Sequence, residues 1–292
     1  MCRKQATAWH PRIARKQRAY TGNTMLLAVD IGNTNVTVGA FDGERIVATW
    51  RLATEARRQA DEYALQLKEL LPMKGVSVDA IDSVALCSVV PPLTAVFHDA
   101  CAFLFGVDPL NVGLGTRTGV RILYDNPHDV GTDRVADAAA AYALYGGPCI
   151  IVDMGTATVF DAVSAGGEYL GGAIALGLGV AAESLDSATS QLRRVELAAP
   201  ATAIGKNTIH SIQSGLIFGY VGLVTEIVKR YKIEMDAPNA TVIATGGLAQ
   251  VIAEQTDVFD VVNEELTLQG LRLIHALNQE PSAVPIKIGD QS

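Results

Sequence analysis

Short apolar runs alternate with longer amphipathic stretches along the chain. The apolar runs end at turn-forming pairs such as Asp42-Gly43 and Pro91-Pro92, which is typical of β-strands. The amphipathic stretches carry apolar residues at helical spacing and stop at a proline or a glycine, which is typical of helices. The predicted strands cover residues 25–30, 36–41, 46–52 and 84–90, and the predicted helices cover residues 61–71, 94–105 and 134–145. This alternation predicts an α/β fold.

One pattern of residues occurs twice. Residues 27–36 align without gaps with residues 150–159, at an offset of 123 residues. Each segment is an apolar strand followed by Asp, any residue, Gly, a polar turn and a second strand. Because the Asp, the Gly, the turn and both strands coincide, we predict a duplicated α/β domain, with halves at residues 25–147 and 148–280.

The composition indicates a packed protein with an acidic body. The chain has 292 residues, 49% hydrophobic and 18% charged, which is enough for about two domains. The net charge is −8, and residues 1–24 hold six basic residues and no acidic one, which leaves −14 on the remainder. Non-specific nucleic-acid binding relies on clustered positive charge, so we expect no nucleic-acid partner.

Both ends of the chain are predicted to lie outside the folded body. Residues 1–24 lack the apolar core of a secretory signal, so they are either a disordered extension or the result of a start placed too early, with Met25 as the natural start. Residues 281–292 are predicted to be a flexible tail. The cysteines show no pairing motif, which indicates reduced thiols and a cytoplasmic protein. The uncharged residues 207–225 include polar residues and three glycines, so they predict a buried helix, which could lie at a subunit interface, and not a membrane span.

Each repeat places a carboxylate at the end of a strand and a polar turn after it. In the first repeat, Asp30 precedes Gly32, Asn33, Thr34 and Asn35. The glycine lets the backbone turn closely around an anion, and the polar residues supply donors for phosphate. The aspartate supplies an oxygen ligand for the Mg²⁺ that accompanies phosphate. A hairpin with an Asx turn would explain a single copy, and the second copy favours a phosphate-binding loop.

The second repeat has hydroxyl groups where the first has amides, in Asp153, Gly155, Thr156 and Thr158. Two such loops facing each other could hold a nucleotide polyphosphate across a cleft between the halves. A third candidate lies at residues 242–249, where a predicted strand enters a Gly-Gly turn before a helix at 248–254. This turn suits close contact with a ligand, and it is equally consistent with a plain strand-to-helix connection.

Two other segments are less informative. Residues 171–179 contain four glycines and predict a second flexible loop. Lys206 follows a glycine, but the next residue is Asn207, so the segment does not match the P-loop pattern.

The loop between the halves leads to Asp133, which allows two interpretations. Thr132 or Asp133 could cap the helix that follows. Alternatively, Asp133 could act as a general base, with Arg134 binding an acidic substrate. The local sequence does not decide between them.

Together and in this order, the motifs resemble those of type III pantothenate kinase. The segments concerned are residues 30–35, 124–127, 131–134, 153–156, 205–208, 244–247 and 266–271, and the match spans about residues 25–278. The resemblance implies a duplicated ribonuclease-H-like fold, shared with acetate and sugar kinases, heat-shock chaperone ATPases and actin, with the active site in the cleft. It also implies ATP-dependent phosphorylation of pantothenate to 4′-phosphopantothenate, the first step of coenzyme A biosynthesis. The family members are homodimers that need a monovalent cation, K⁺ or NH₄⁺.

The same resemblance implies a role for each matching position. Asp133 would take the proton from the pantothenate hydroxyl, Asp153 would bind the monovalent cation, and Asp30 would bind Mg²⁺ together with ATP. Thr208 would reach the pantothenate site from the partner subunit. The ATP site would comprise Asp30, Ile31, Gly32, Asn33, Thr34, Asn35, Val36, Thr37 and Thr156. The pantothenate site would comprise Tyr124, Gly131, Thr132, Asp133, Arg134 and Thr208.

The sequence also departs from the family pattern, at Thr132, Met154, Leu176 and residues 192–194. These positions concern loops and packing and leave the three carboxylates in place. Two alternatives remain at this point: a sugar or other small-alcohol kinase of the same superfamily, and a non-catalytic regulatory accessory protein on the same fold. We expect no membrane partner for any of these.

Overall fold

A computed structural model of the chain describes residues 24–188 and 195–279. The predicted tail and nearly all of the predicted leader lie outside the described residues, as do the family departures at residues 192–194. The described part consists mainly of two β-sheets and seven α-helices.

The first half contains a five-stranded mixed sheet. In chain order its elements are β1 (Met25–Ile31), β2 (Asn35–Asp42), β3 (Arg45–Ala53), α1 (Ala60–Met73), β4 (Ile81–Ser88), α2 (Pro91–Phe105) and β5 (Leu110–Asn111). The strand order is β3-β2-β1-β4-β5, in which β2 is antiparallel to both of its neighbours and β4 is parallel to both of its neighbours. Helices α1 and α2 cover one face, where the buried rings of Tyr63 and Phe97 lie 4.2 Å apart.

The second half contains a six-stranded sheet. The elements that follow are β6 (Arg121–Ile122), α3 (Thr132–Tyr145), β7 (Cys149–Met154), β8 (Ala157–Val163), β9 (Glu168–Leu176), α4 (Leu178–Ala188), α5 (Thr208–Glu234), β10 (Thr241–Thr245), α6 (Ala249–Ala253), β11 (Val261–Val262) and α7 (Leu266–Gln279). The strand order is β11-β10-β7-β8-β9-β6.

The two sheets have the same topology, which confirms the predicted duplicated fold. Strands β7 to β11 repeat the order and the directions of β1 to β5, so that β7 takes the central place of β1. The second sheet differs by one additional edge strand, because β6 pairs in parallel with β9.

Helices α3 and α7 lie between the two sheets. Although α7 ends the described chain, its Leu268 and Leu271 pack with Leu26 of β1. On α3, Ala139 joins the cluster on the first sheet, whereas Ala140 joins the cluster on the second. The small alanine side chains let α3 fit between two close-packed layers, and this fixes the start of α3 in the cleft. The division of the chain at residue 147 stays a prediction.

The glycine-rich segment at residues 171–179 is mostly a strand, so the prediction of a flexible loop is wrong there. Gly172 lies in β9 and pairs with Asp161 of β8. A Cβ at Gly172 would lie 1.9 Å from the carbonyl oxygen of Phe160. The glycine therefore permits close packing, and composition alone does not distinguish this use of glycine from flexibility.

Other differences concern the ends of elements. Helix α1 continues through Pro72, and α2 begins at Pro91, where a proline in the first turn removes no helical hydrogen bond. Helix α3 begins two residues earlier than predicted, and α6 is shorter than the predicted helix.

Helix α5 is longer than the uncharged segment that predicted it. It buries Leu216, Ile217, Val224 and Val228. Much of its remaining surface is exposed, so the prediction of a buried helix holds for one face only. In residues 24–188 and 195–279 it is also the one helix whose length and composition would suffice to cross a membrane.

Candidate active site

Two aspartates lie at corresponding ends of the central strands. Asp30 is the last but one residue of β1, and Asp153 is the last but one residue of β7. The N–H groups of Gly32 and Gly155 each donate at 3.0 Å to a carbonyl of their own turn. The repeated motif therefore forms two related turns, each with a carboxylate at its base.

The two turns meet at the opening between the halves. The hydroxyl oxygens of Thr34 and Thr156 lie 2.9 Å apart and are exposed. These residues come from different halves of the chain. The two loops therefore face each other and are in direct contact at these hydroxyl groups.

Thr54, just after β3, supports the first turn. Its hydroxyl donates to the carbonyl of Gly32 at 2.7 Å, and its N–H donates to the carbonyl of Thr34 at 3.0 Å. Thr54 was not among the predicted site residues, because one threonine after a strand carries no distinctive signal.

Helix α3 carries Asp133 in its first turn. The N-cap residue is Gly131 and has no side-chain cap, so the interpretation of Thr132 or Asp133 as the cap is wrong. Instead, the Asp133 carboxylate accepts the N–H of Arg134 at 2.8 Å. The Thr132 hydroxyl accepts the N–H of Ser88 at 3.0 Å and donates to the Ser88 carbonyl at 3.1 Å, which ties α3 to the end of β4.

Burial raises the pKa of all three aspartates at the site, and neighbouring negative charge adds to the effect at Asp30 and Asp153. Burial, and then the charge of Asp133, raise the pKa of Asp30 to about 7. Burial, followed by the charges of Asp133 and Asp30, raises the pKa of Asp153 to about 7. Burial also raises the pKa of Asp133, against the opposing effect of the Arg134 N–H. Such clusters are typical of functional sites.

Two buried residues next to this cluster escaped the sequence analysis. Asp137 lies one turn after Asp133 and accepts the hydroxyl of Thr267 at 2.7 Å. Burial, and then the charge of Asp153, raise the pKa of Asp137 well above its usual range. The thiol of Cys87 donates to the carboxylate of Asp30 at 3.3 Å. The spacing of four residues between Asp133 and Asp137, which places both on one helix face, was an available signal.

Arg134 is held by a buried carboxylate. Its Nη2 lies 2.6 Å and its Nε 3.1 Å from Asp161 Oδ1, and the side chains of Arg134 and Asp161 are 11% and 2% exposed. The hydroxyl of Tyr169 donates to the same oxygen at 2.7 Å. The guanidinium is therefore oriented from within the protein. Asp161 was not among the predicted site residues, although a carboxylate inside an apolar strand is an unusual feature.

Of the two remaining predicted substrate residues, Tyr124 lies near the site, and Thr208 makes no hydrogen bond to the aspartates among the described residues of this chain. The ring of Tyr124 lies 6.2 Å from that of Tyr169, which places it beside the Arg134 pair. Thr208 begins α5 and is exposed. Within the described part of this single chain, no hydrogen bond joins Thr208 to the aspartates.

The third glycine motif does approach the site. Gly246 has a φ of 88°, in the region that favours glycine, and a Cβ there would lie 2.3 Å from Asp153 Oδ1. The turn after β10 thus packs directly on the carboxylate of β7. The interpretation as a plain connection is insufficient, because the turn forms one wall of the site.

The carboxylates suit bound cations. Asp30 and Asp153 are half-buried oxygen donors whose raised pKa values come from desolvation and from neighbouring negative charge. Among the described residues, no group of three or more His, Cys, Asp or Glu side chains is arranged to hold a metal ion. A cation here would therefore complete its coordination with oxygen ligands of other kinds, such as hydroxyl, carbonyl, phosphate or water oxygens.

Solved structures share this fold. A structure described as a conserved Baf family transcriptional activator from Campylobacter jejuni aligns with 86% of this chain and 98% of its own, with a TM-score of 0.57 and 19% identity. MreB 5 of Spiroplasma citri, bound to AMPPNP, aligns with 88% of this chain and 98% of its own, with a TM-score of 0.53 and 9% identity. The repeated sheets thus place the chain in the duplicated ribonuclease-H-like class, which includes the actin type.

Sequence comparison resolves the family within that class. The sequence model of type III pantothenate kinase matches residues 26–230. A type III pantothenate kinase from Dehalococcoides mccartyi is 51% identical over 254 residues, which cover 87% of this chain and 96% of that relative. One from Geobacter sulfurreducens is 49% identical over 257 residues, which cover 88% of this chain and all of that relative. The chain belongs to the type III pantothenate kinase family.

Proposed function

We propose that this protein transfers the γ-phosphoryl group of ATP to the 4′-hydroxyl of pantothenate, the first step of coenzyme A biosynthesis. Family membership supports this reaction. The observation that carries the proposal is the position of Asp133, whose charge acts on both Asp30 and Asp153 at the base of the paired turns. A proton acceptor thus lies beside a phosphate-binding arrangement.

Asp133 serves as the general base. The hydroxyl oxygen attacks the γ-phosphorus, the bond from that phosphorus to ADP breaks, and the hydroxyl proton passes to the Asp133 carboxylate. Burial raises the pKa of Asp133, which makes its carboxylate a stronger proton acceptor than an exposed aspartate. Its place in the first turn of α3 supports the charged form before reaction.

The turn after β1 and Thr156 hold the phosphates. The Thr34–Thr156 contact and the N–H groups of both turns present donors on the two sides of the opening. Asp30 would hold Mg²⁺ and Asp153 the K⁺ or NH₄⁺ ion. When bound, these cations neutralise the phosphate charge that the acidic body would otherwise repel.

Pantothenate lies on the α3 side, against Gly131, Thr132, Arg134 and Tyr124. Thr132 fixes the start of α3 through Ser88, so the base keeps its position. Asp161 orients the Arg134 guanidinium through its Nε and Nη2, and the remaining N–H donors suit the substrate's carboxylate.

The working form is a cytoplasmic homodimer in which Thr208 reaches the partner's pantothenate site. Supporting this, large apolar residues are exposed near the start of α5 and at the end of β9. They are Ile174 at 66%, Leu176 at 55%, Ile204 at 81% and Ile209 at 55% exposure. The hydroxyl of Tyr220 bonds to the Leu176 carbonyl at 2.6 Å, so the end of β9 packs against the middle of α5. An exposed apolar surface of this kind is typical of a subunit interface.

A coupled kinase assay tests the proposal. ADP production should depend on pantothenate and rise with K⁺, and Asp133→Asn should lower kcat by about 10²- to 10⁴-fold while ATP still binds. Asp129→Asn is the matched control, because that carboxylate lies in the same loop, is exposed and contacts Asn126. Full activity of Asp133→Asn would refute the base, and turnover of a sugar in place of pantothenate would refute the substrate.

A further inference from the structure

One row of side chains crosses the first sheet at the level of the site. Asp30 of β1 pairs in register with Cys87 of β4 on one side and with Thr37 of β2 on the other. Thr37 pairs with Arg51 of β3. Residues directly opposite each other in a sheet place their side chains on the same face. The Cys87–Asp30 hydrogen bond identifies this face as that of the site, so Arg51 is on it too.

The Arg51 side chain reaches the opposite half of the protein. Its Nη1 lies 3.2 Å, and its Cζ 3.8 Å, from the place that a Cβ on Gly247 would occupy. Gly247 follows Gly246, whose backbone packs on Asp153. The guanidinium therefore spans the opening between the sheets and lies against bare backbone of the third glycine motif.

The charge of Arg51 is uncompensated, unlike that of Arg134. Arg51 is exposed, and within residues 24–188 and 195–279 no carboxylate forms an ion pair with it. Arg134 is already paired with Asp161. In a protein of net charge −8, a polyanion that enters the cleft meets Arg51 as a free guanidinium at the opening.

We propose that Arg51 binds the phosphate chain of the nucleoside triphosphate, from the β3 side of the cleft and across to Gly247. The proposal rests on the ATP dependence in the proposed function. A guanidinium binds phosphate through paired N–H groups. Because Arg51 lies beyond Thr37 in the row of side chains, it would extend the phosphate site by one strand, from β2 to β3. Because the side chain bridges both halves, bound phosphate would also hold the two halves together.

Equilibrium binding of a fluorescent ATP analogue, without pantothenate, tests this role directly. Arg51→Gln should weaken binding by about 10- to 100-fold, the effect of losing hydrogen bonds to a charged group. Arg51→Gln should weaken the binding of AMP, which has a single phosphate, less than it weakens the binding of ATP. Arg51→Lys should restore part of the loss, since it keeps the charge without the paired geometry. In a kinase assay, the KM of Arg51→Gln for ATP should rise. Its KM for pantothenate should stay within about twofold of that of the unmodified protein, because no contact to pantothenate is lost.

Arg45→Gln is the matched control. Arg45 lies on the same strand as Arg51, about 20 Å from it at ~3.3 Å per residue. Arg45 pairs with Asp42 at 3.9 Å beside the hairpin turn, and its substitution removes the same charge as Arg51→Gln. The affinity of Arg45→Gln for ATP should equal that of the unmodified protein. Unchanged ATP binding in Arg51→Gln, or equal losses for AMP and ATP, would overturn the proposal. Normal ATP binding without pantothenate turnover in the unmodified protein would instead refute the proposed function and leave the role of Arg51 intact.

Discussion

The buried Arg134–Asp161 pair offers the sharpest test of how this site is held together. Asp161→Asn keeps the size of the side chain but removes its charge. The guanidinium of Arg134, with a side chain only 11% exposed, would then remain in the interior without a counter-charge. Breaking a buried pair in this way costs about 3–5 kcal/mol.

Burial opposes the charge of both partners in this pair. The pKa of Arg134 is raised by its bonds to Asp161, although burial opposes the rise. The pKa of Asp161 is also raised, because burial outweighs the stabilising Arg134. Part of the attraction within the pair thus offsets the cost of burying the Asp161 carboxylate, whose side chain is only 2% exposed. We therefore expect the lower end, about 3 kcal/mol.

Thermal unfolding measures this cost. With ~2.1 cal/mol/K of unfolding entropy per residue over roughly 250 ordered residues, about 3 kcal/mol lowers Tm by about 6 °C. The control is Arg121→Gln, which breaks an ion pair to Glu168 whose arginine side chain is 69% exposed. It should cost at most ~1 kcal/mol, or about 2 °C. If Asp161→Asn lowered Tm no more than the control, the assigned role of the pair would be wrong.

The same variant should affect one substrate more than the other. Arg134 lies on the α3 side of the cleft, whereas Thr34 and Thr156 are at the paired turns. Loosening Arg134 should therefore raise the KM for pantothenate more than the KM for ATP. Equal increases would show that Asp161 supports the whole cleft and not Arg134 in particular.

Three further predictions follow from the site and the ends of the chain. The pKa of Asp30 is about 7 in the folded protein and 3.8 in a free side chain, so the folded state binds this proton more tightly than the unfolded state does. The resulting contribution to stability is present at low pH and is lost as the pH rises through about 7. Metal-free protein should thus unfold at lower denaturant at pH 8 than at pH 5.5, and Asp30→Asn should shrink the difference; an unchanged difference would contradict the shift. Gly246→Ala should abolish activity and destabilise the fold, because its Cβ would meet Asp153 at 2.3 Å, whereas Gly43→Ala, with open space around it, should cost only about 1–2 kcal/mol of backbone strain in chemical denaturation. Deleting residues 1–24 should leave kcat/KM unchanged, and a large loss would show that the basic segment takes part in function.

The sequence alone was enough to predict the repeated strand–Asp–turn units. Continuous apolar runs and turn residues are local, so they predict β1 and β7 and the turns after Asp30 and Asp153. The duplication followed from the same local pattern repeated at an offset of 123 residues. Local sequence could not show that residues 168–176 form a strand, because glycine serves a flexible loop and a crowded strand equally well.

Only the tertiary structure decided which groups share the cleft. The i,i+4 spacing could have indicated Asp137, but Asp161, Cys87, Thr54 and Arg51 enter the site through strand register and helix packing. Register and packing join residues far apart in the chain, so no local pattern encodes them. The raised pKa values have the same origin, since desolvation depends on everything packed around a group. Sequence by itself therefore determined the repeated units and the family, and the three-dimensional packing determined their electrostatics and partners.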